Sequence, residues 1–397
     1  MEKLAIYGGK PVRESKLYYG HQYIDDNDIE AVVEVLKGDY LTCGPKITEL
    51  EERLCKLTGA KYAVVVSNGT AALHIACQAA GVAKGDEVIT TPITFAASAN
   101  CALYCDATPV FADINERTYN IDPKSVAEKM TEKTKAVVAV DFTGQAAELD
   151  LLTGLCRERG AVLIEDAAHS IGTKYKGKPV GSIADMTTFS FHPVKTVTGG
   201  EGGAVLTNHE EYYKKLVLYR AHGITRNTEW MEKESEGPWY YEQVALGLNY
   251  RLTDIQAALL ISQLDKLEVF QKRRKEIVAR YNEAFLEIPE ITVQEEISES
   301  DTTRHLYILR IKPDKLTIDR KKFFEAMGAE NICCNVHYIP VYYHPYYEEL
   351  GYRKGLCPKA EKLYEEMMSL PLYYAMSDQD VEDVIEAVTK IVENFKQ

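Results

Sequence analysis

Short apolar runs alternate with amphipathic stretches of helical period through the first half of the chain, and this rhythm restricts the fold more than any other feature. Runs at Tyr62 to Val66, Glu87 to Thr90, Pro109 to Ala112 and Ala136 to Val140 precede helical patterns from Thr70, Phe95, Pro123 and Leu149, and a fifth run covers Ala161 to Ile164. Strands separated by helices in this way form a mostly parallel sheet covered by helices on both faces, an α/β architecture. In such sheets the loops at the C-terminal ends of the strands carry the chemistry.

The rhythm changes after Asn208. A long helical pattern from about Thr253 to Phe285 leads from one domain toward another, and we place the boundary inside it, giving a large domain with an N-terminal arm over 1–265 and a small one over 266–397. From His305 onward the pattern reads as strand, helix, aromatic-rich segment and two helices, a smaller α+β unit. The 397 residues, 46% hydrophobic, suffice for a large core. A formal net charge of −14 disfavours nonspecific nucleic-acid or anionic-membrane partners. No apolar run is long enough to span a bilayer and the start has no signal-peptide core, so a cytoplasmic location is expected. The 9 cysteines lack Cys-x-x-Cys pairs, so neither a metal site nor a disulfide framework is expected.

Three positions point to chemistry. Asp166 ends the run Ala161-Val-Leu-Ile-Glu-Asp, and Lys195 follows in Ser190-Phe-His-Pro-Val-Lys, ahead of the glycine-rich Gly199-Gly-Glu-Gly-Gly203. A lysine amine that forms a Schiff base with pyridoxal phosphate, and a carboxylate that keeps the cofactor's ring nitrogen protonated, suit this order. At about 3 Å and an effective dielectric near 20, the carboxylate's attraction for a pyridinium has a ceiling of roughly 5 kcal/mol before desolvation. Most lysines are solvated surface charges, but Lys195 has Phe191, Pro193, Val194 and Val197 around it, a setting that lowers its pKa. Ser67-Asn-Gly69-Thr70 follows a strand and opens a helix, so first-turn amides and the Thr70 hydroxyl are placed to receive a phosphate. Alone, that stretch reads more readily as a tight turn with Thr70 as N-cap. Ser190 adds a hydroxyl to the same cradle or is a plain strand-edge serine.

The combination Ser67-Asn-Gly-Thr70, Thr91-Pro-Ile-Thr-Phe95-Ala-Ala-Ser, Glu165-Asp-Ala-Ala-His169, Ser190-Phe-His-Pro-Val-Lys195, Gly200-Glu-Gly-Gly203 and Asn249-Tyr-Arg resembles the DegT/DnrJ/StrS sugar aminotransferases, in family order from about Tyr19 to Pro371. The resemblance implies the aspartate aminotransferase fold (fold type I), pyridoxal 5'-phosphate, and a homodimer with active sites at the interface. Lys195 matches the Schiff-base lysine, Asp166 the pyridine-nitrogen partner, His169 the neighbour of the ring hydroxyl, and Phe95 the ring-stacking aromatic. Gly69, Thr70 and Ser190 match the phosphate site. Asn249 matches a residue sent by one subunit to the phosphate of the other's site; read alone, it is a loop or N-cap residue.

Arg220-Ala-His-Gly-Ile-Thr-Arg226, Gly237-Pro-Trp-Tyr-Tyr241, Asn249 to Ala258 and Val336-His-Tyr-Ile-Pro340 resemble the family branch that aminates C4 of UDP-linked 4-keto-6-deoxy N-acetylhexosamines in pseudaminic acid-type biosynthesis. In that branch Tyr19, the loop Asp39, Tyr40, Leu41 and Thr42, and the segment His337, Tyr338, Ile339 and Pro340 match substrate contacts. Thr196-Val-Thr departs from relatives that carry Pro or Asn after the lysine. The implied reaction takes the amine from glutamate and delivers it to the sugar carbonyl in ping-pong order. A related dehydratase branch replaces the lysine by histidine, and this chain keeps Lys195. A silent regulatory protein on the same scaffold would have lost Lys195 or Asp166. Amination at C3, or of another keto-sugar nucleotide, is disfavoured by family analogy alone.

Overall fold

The computed structural model describes residues 2–397. Its centre is a seven-stranded sheet of β1 (Tyr62–Val66), β2 (Glu87–Thr90), β3 (Thr108–Phe111), β4 (Thr134–Val140), β5 (Val162–Asp166), β6 (Met186–Ser190) and β7 (Gly203–Thr207), in the spatial order β1-β7-β6-β5-β4-β2-β3. All neighbours are parallel except β7, which runs antiparallel to both β6 and β1. The expected mostly parallel, helix-covered sheet is therefore present. Its strands are apolar throughout because both faces are covered: Val64 and Val66 pack into one buried cluster, Val65 into another on the opposite face.

β6 and β7 extend the sheet beyond the five expected strands. Met-Thr-Thr-Phe-Ser is interrupted by threonines, yet Thr187 and Thr188 are buried with their hydroxyls bonded to Glu165, and the short apolar stretch Ala204 to Leu206 of β7 sits directly after the glycine-rich loop. Two helix expectations are corrected. The helix expected from Phe95 begins at Ala97, and the pattern from Thr253 to Phe285 is two helices, Asp254–Leu264 and Leu267–Phe285. Asp265 and Lys266 interrupt it, and the Lys266 ammonium there bonds both Asp25 and Asp28, the latter fully buried. That long-range ion pair favours the break over continued helix.

The C-terminal part carries a three-stranded antiparallel sheet of β8 (Ile291–Val293), β9 (Tyr307–Ile311) and β10 (Met367–Leu370), packed on the Arg320–Ala329 and Asp378–Phe395 helices. The Asp378–Phe395 helix starts with a capping box between Ser377 and Asp380 and buries Val381, Val384, Val388 and Ile391 on one stripe. Leu4 and Leu17 pack in this same cluster, and Leu17–Tyr18 pairs with Ile332–Cys333. The segment before residue 20 is thereby tied to the C-terminal sheet layer. No helix among the described residues is long and apolar enough to cross a membrane.

Candidate active site

The C-terminal ends of β1, β4, β5 and β6 open on one cleft of about 910 Å³, whose lining includes Tyr19, Gly69, Thr70, Phe95, Asp166, His169, Ser190, Lys195, His337 and Tyr338. Residues separated by more than three hundred positions thus converge where the topology predicts.

One end of the cleft is a cradle. Asn68, not Thr70, caps the Gly69–Ala79 helix by accepting from the Ala71 amide at 2.8 Å. Thr70 is the second residue of the helix, so its hydroxyl is not consumed in capping, and among the described residues the Gly69 and Thr70 amides donate to no protein acceptor. The backbone is drawn tight around this point. A Cβ on Gly69 would sit 2.9 Å from Ser190 Cβ, and one on Gly203 would sit 2.5 Å from the Asn68 carbonyl oxygen. Free amides, two hydroxyls and the positive end of the helix dipole suit a dianionic phosphate.

Asp166 ends β5, 4% exposed. Ser98 donates its hydroxyl to Asp166 Oδ2 at 2.6 Å, Thr94 Oγ1 lies 2.7 Å from Ser98 Oγ, and the Ala168 amide donates to Oδ1 at 3.2 Å. Burial raises the Asp166 pKa, while Ser98, the Ala168 amide and Lys195 pull it back. Such a carboxylate gains from a cationic partner, which a protonated ring nitrogen supplies. Lys195 sits in the turn after β6, its amide bonded to the His192 carbonyl. Burial pushes its ammonium down to about 8, with the Asp166 charge opposing the shift. Near neutral pH an appreciable fraction is therefore free amine, the form that attacks a carbonyl or accepts a proton.

His169 is 5% exposed, its Nε2 lies 3.1 Å from the Tyr338 hydroxyl, and burial with the nearby Lys195 charge holds it neutral. His337 is likewise neutral, pushed down to about 4 by burial and Lys195; its Nδ1 meets the Ser369 hydroxyl at 2.8 Å and its ring lies 5.1 Å from that of Tyr19. Phe95 is 64% exposed on the cleft wall, a large ring without cover. Cradle, carboxylate, lysine and uncovered ring together fit pyridoxal phosphate.

Other expected residues stand elsewhere. Asp39, Tyr40, Leu41 and Thr42 are exposed outside the lining, pinned where the Leu41 carbonyl accepts from the Asp254 amide. Asn249 is exposed and bridged to Ala221, whereas its neighbour Tyr250 lines the cleft. Ile339 is exposed and Pro340 buried, both outside the lining. Sequence reasoning missed Ser98, which closes the Thr91 to Ser98 motif already noted, and Asn68, Asn335 and His74, which also line the cleft.

A sheet edge presenting a phosphate cradle, a buried carboxylate and a lysine of lowered pKa defines an aminotransferase of the pyridoxal phosphate class. The sequence matches the DegT/DnrJ/EryC1/StrS aminotransferase family over residues 22–389, and the chain belongs to that family. It is 42% identical over 382 residues to a Bacillus subtilis protein named spore coat polysaccharide biosynthesis protein SpsC, covering 96% of this chain and 98% of the relative. It is 37% identical, with the same coverage of both, to the Campylobacter jejuni UDP-4-amino-4,6-dideoxy-N-acetyl-beta-L-altrosamine transaminase. The structure of Helicobacter pylori PseC, described as an aminotransferase in pseudoaminic acid biosynthesis, superposes with a TM-score of 0.89 at 32% identity, covering 96% of this chain and all of that one.

Proposed function

We propose that the chain is a homodimeric, pyridoxal 5'-phosphate-dependent enzyme of the cytoplasm that moves an amino group from glutamate to C4 of a UDP-linked 4-keto-6-deoxy N-acetylhexosamine, in nucleotide-sugar biosynthesis of the pseudaminic acid type. The observation that carries the chemistry is Lys195 and Asp166 in one cleft beside the Gly69, Thr70 and Ser190 cradle. For the sugar, support comes from the transaminase named above and from the Tyr19 and His337 wall.

When bound, pyridoxal phosphate supplies an electron sink for charge that develops at the carbon losing its proton. The protein supplies the rest. Asp166 holds a proton on the ring nitrogen, its charge backed by the Ser98 hydroxyl. Gly69, Thr70 and Ser190 would anchor the phosphate, with Phe95 available to the ring face and His169 to the ring hydroxyl. Lys195 Nζ would take a proton from the donor's α-carbon and return it from the same face to the carbon that carried the cofactor's aldehyde, a task suited to an amine with a pKa of about 8. Asn249 of the partner subunit completes the phosphate site, and the loop Asp39 to Thr42 with the His337 to Pro340 segment holds the sugar nucleotide. We keep the division into a large unit over 1–265 and a small one over 266–397, a reading supported by the break between the Asp254–Leu264 and Leu267–Phe285 helices.

The test is a panel of 4-keto and 3-keto sugar nucleotides, with uridine, thymidine and guanosine diphosphate carriers, offered with glutamate. A 4-amino UDP sugar by NMR is the expected product. A 3-amino product, or preference for another carrier, would overturn the sugar assignment and leave the aminotransferase chemistry standing.

A further inference from the structure

Behind Asp166, two carboxyl groups that the reaction as described does not use lie buried together. Asp141 and Glu165 are both 0% exposed, neither lines the cleft, and their side chains are in hydrogen-bonding contact with each other. The fold brings them together. β4 and β5 run parallel with Ala139 opposite Glu165, and Asp141 follows two residues later, just past the end of β4. Glu165 and Asp166 are consecutive on β5, so their side chains leave opposite faces of the sheet.

Asp141 Oδ1 accepts from the Ala147 amide at 3.0 Å and Oδ2 from the Ser170 hydroxyl at 2.6 Å, while Glu165 Oε2 accepts from the Thr187 hydroxyl at 2.7 Å. Glu165 Oε1 is buried and receives no hydrogen bond from any hydroxyl, amide or cation. Two ionised carboxylates offer only acceptors, so a bond between them requires that one carry a proton. Burial raises both pKa values, that of Asp141 further through the Glu165 charge. The other leading influences are the Asp166 charge, the Ser170 and Thr187 hydroxyls and the Ala147 and Gly181 amides, with no cation among them. Without a cation, burial and mutual repulsion keep one proton in the pair. Asp141 also grips the turn that follows β5. Its amide donates to the Asp166 carbonyl at 3.0 Å and its carboxyl receives Ser170, so it holds both ends of the stretch that includes His169.

We propose that Asp141 and Glu165 share one proton, and that this hydrogen bond makes them positioning residues that set the Asp166 to Ser170 turn from behind. The link from that turn to the cofactor rests on the reading of Asp166 and His169 given above. A pair that keeps its proton in the fold but loses it in the unfolded chain contributes stability that is full below the ordinary carboxylate range, near about 4, and is lost as pH rises until the pair ionises. An amide at either position supplies the same bond with no proton to lose.

The experiment compares wild type with Glu165→Gln, Asp141→Asn, Glu165→Ala and Asp166→Asn. Infrared spectra of apoprotein and holoenzyme at neutral pH read the carbonyl stretch of a protonated carboxylic acid, thermal unfolding is followed from about pH 5 to 8, and pyridoxal phosphate binding is titrated. The wild-type spectrum should contain an acid band that Asp166→Asn keeps and both amide variants of the pair lose, since each of those leaves one ionised carboxylate bonded to an amide. Unfolding temperatures of the two amide variants should gain on wild type as pH rises. Glu165→Ala should weaken cofactor binding about tenfold, the value of one hydrogen bond, and Glu165→Gln should restore it. No such band in wild type, or its survival in Glu165→Gln and Asp141→Asn, would overturn the shared proton. Cofactor affinity in Glu165→Ala equal to wild type would overturn the positioning role, as would equal weakening by Glu165→Ala and Glu165→Gln. Should Glu165→Ala fail to fold, the two amide variants still decide through the band and the pH series. If Asp166→Asn binds the cofactor as wild type does, the reading of Asp166 fails instead.

Discussion

The two ends of the cleft are built by different means. At the inner end, Asp166, Ser190 and Gly69 are each fixed at the tip of a sheet strand or the first turn of a helix, and every one is within a few residues of fully buried β-structure. Toward solvent, Phe95 is left exposed on the cleft wall, and Tyr40, Leu41 and Ile339 are exposed apolar side chains outside the lining of their own chain's cleft, as is the whole Asp39 to Thr42 loop. Lys195, Asp166 and the cradle share one cleft of one chain, and Asn249 stands outside its lining. The recognition end needs further cover, as expected if a second subunit and a bulky substrate supply it.

The strongest way to break that division is at the inner end. Lys195→Ala should abolish turnover and the visible absorbance of bound cofactor while leaving the fold intact, because no side-chain hydrogen bond acts on Lys195, only burial and the Asp166 charge. Borohydride reduction of wild type followed by peptide mapping checks the assignment, and a pyridoxyl adduct on any other lysine would defeat it. Since the ammonium is pushed down to about 8, the rate at which apoprotein captures pyridoxal phosphate should climb with pH up to about 8 and then level.

The sharpest way to test the mouth is to mix subunits. If Asn249 crosses the interface, a dimer of one Lys195→Ala and one Asn249→Ala subunit has one site with both native residues and one with neither. Co-expressed under separate tags and purified as heterodimers, the pair should recover about half of wild-type activity, one intact site in two. Activity no higher than that of either parent mutant would return Asn249 to its bridge with Ala221 and leave the inner end complete in one chain.

Smaller effects grade the inner end itself. Asp166→Asn removes the charge opposite the ring nitrogen and should cost on the order of a thousandfold in kcat. Ser98→Ala leaves Asp166 Oδ2 without its hydroxyl donor and should cost roughly ten- to a hundredfold in both half-reactions, the value of a hydrogen bond to a buried charged group. Equal rates for Ser98→Ala and wild type would mean that the Ala168 amide alone orients the carboxylate.

The same contrast governs what the sequence discloses. Strands β1 to β5 are legible because burial on both faces makes them apolar runs, and their C-terminal ends then locate Asp166 and Thr70. β6 is not, because Thr187 and Thr188 are satisfied by Glu165 on the neighbouring strand rather than by anything nearby in sequence, and β7 follows a glycine-rich loop and ends in Thr207, whose hydroxyl goes to the Asp185 carbonyl. Ser98 is spelled out in a recognisable motif, but its partner is 68 residues away, so only the fold reveals its bond to Asp166. The break at Asp265 and Lys266 is hidden in an unbroken helical pattern because its cause, Asp28, lies more than two hundred residues earlier. Asp39 to Thr42 and His337 to Pro340 are marked by resemblance alone, since loop positions leave no periodic signal in one chain.

The finest comparison is between the two substrates that must share this cleft. His337 is buried against Ser369 and Tyr19, close enough to feel the Lys195 charge, whereas the proposed glutamate half-reaction draws on Lys195, Asp166 and the cradle. His337→Ala should therefore slow amination of the keto sugar by several-fold to about tenfold, the loss of one positioning contact, and change the glutamate half-reaction less. The two halves are separated spectroscopically by presenting glutamate or keto sugar alone to the appropriate cofactor form in stopped flow. Equal loss in both would mean that His337 acts through the shared inner end, as its proximity to Lys195 permits. Loss in the sugar half alone would locate the boundary between chemistry and recognition between Lys195 and His337.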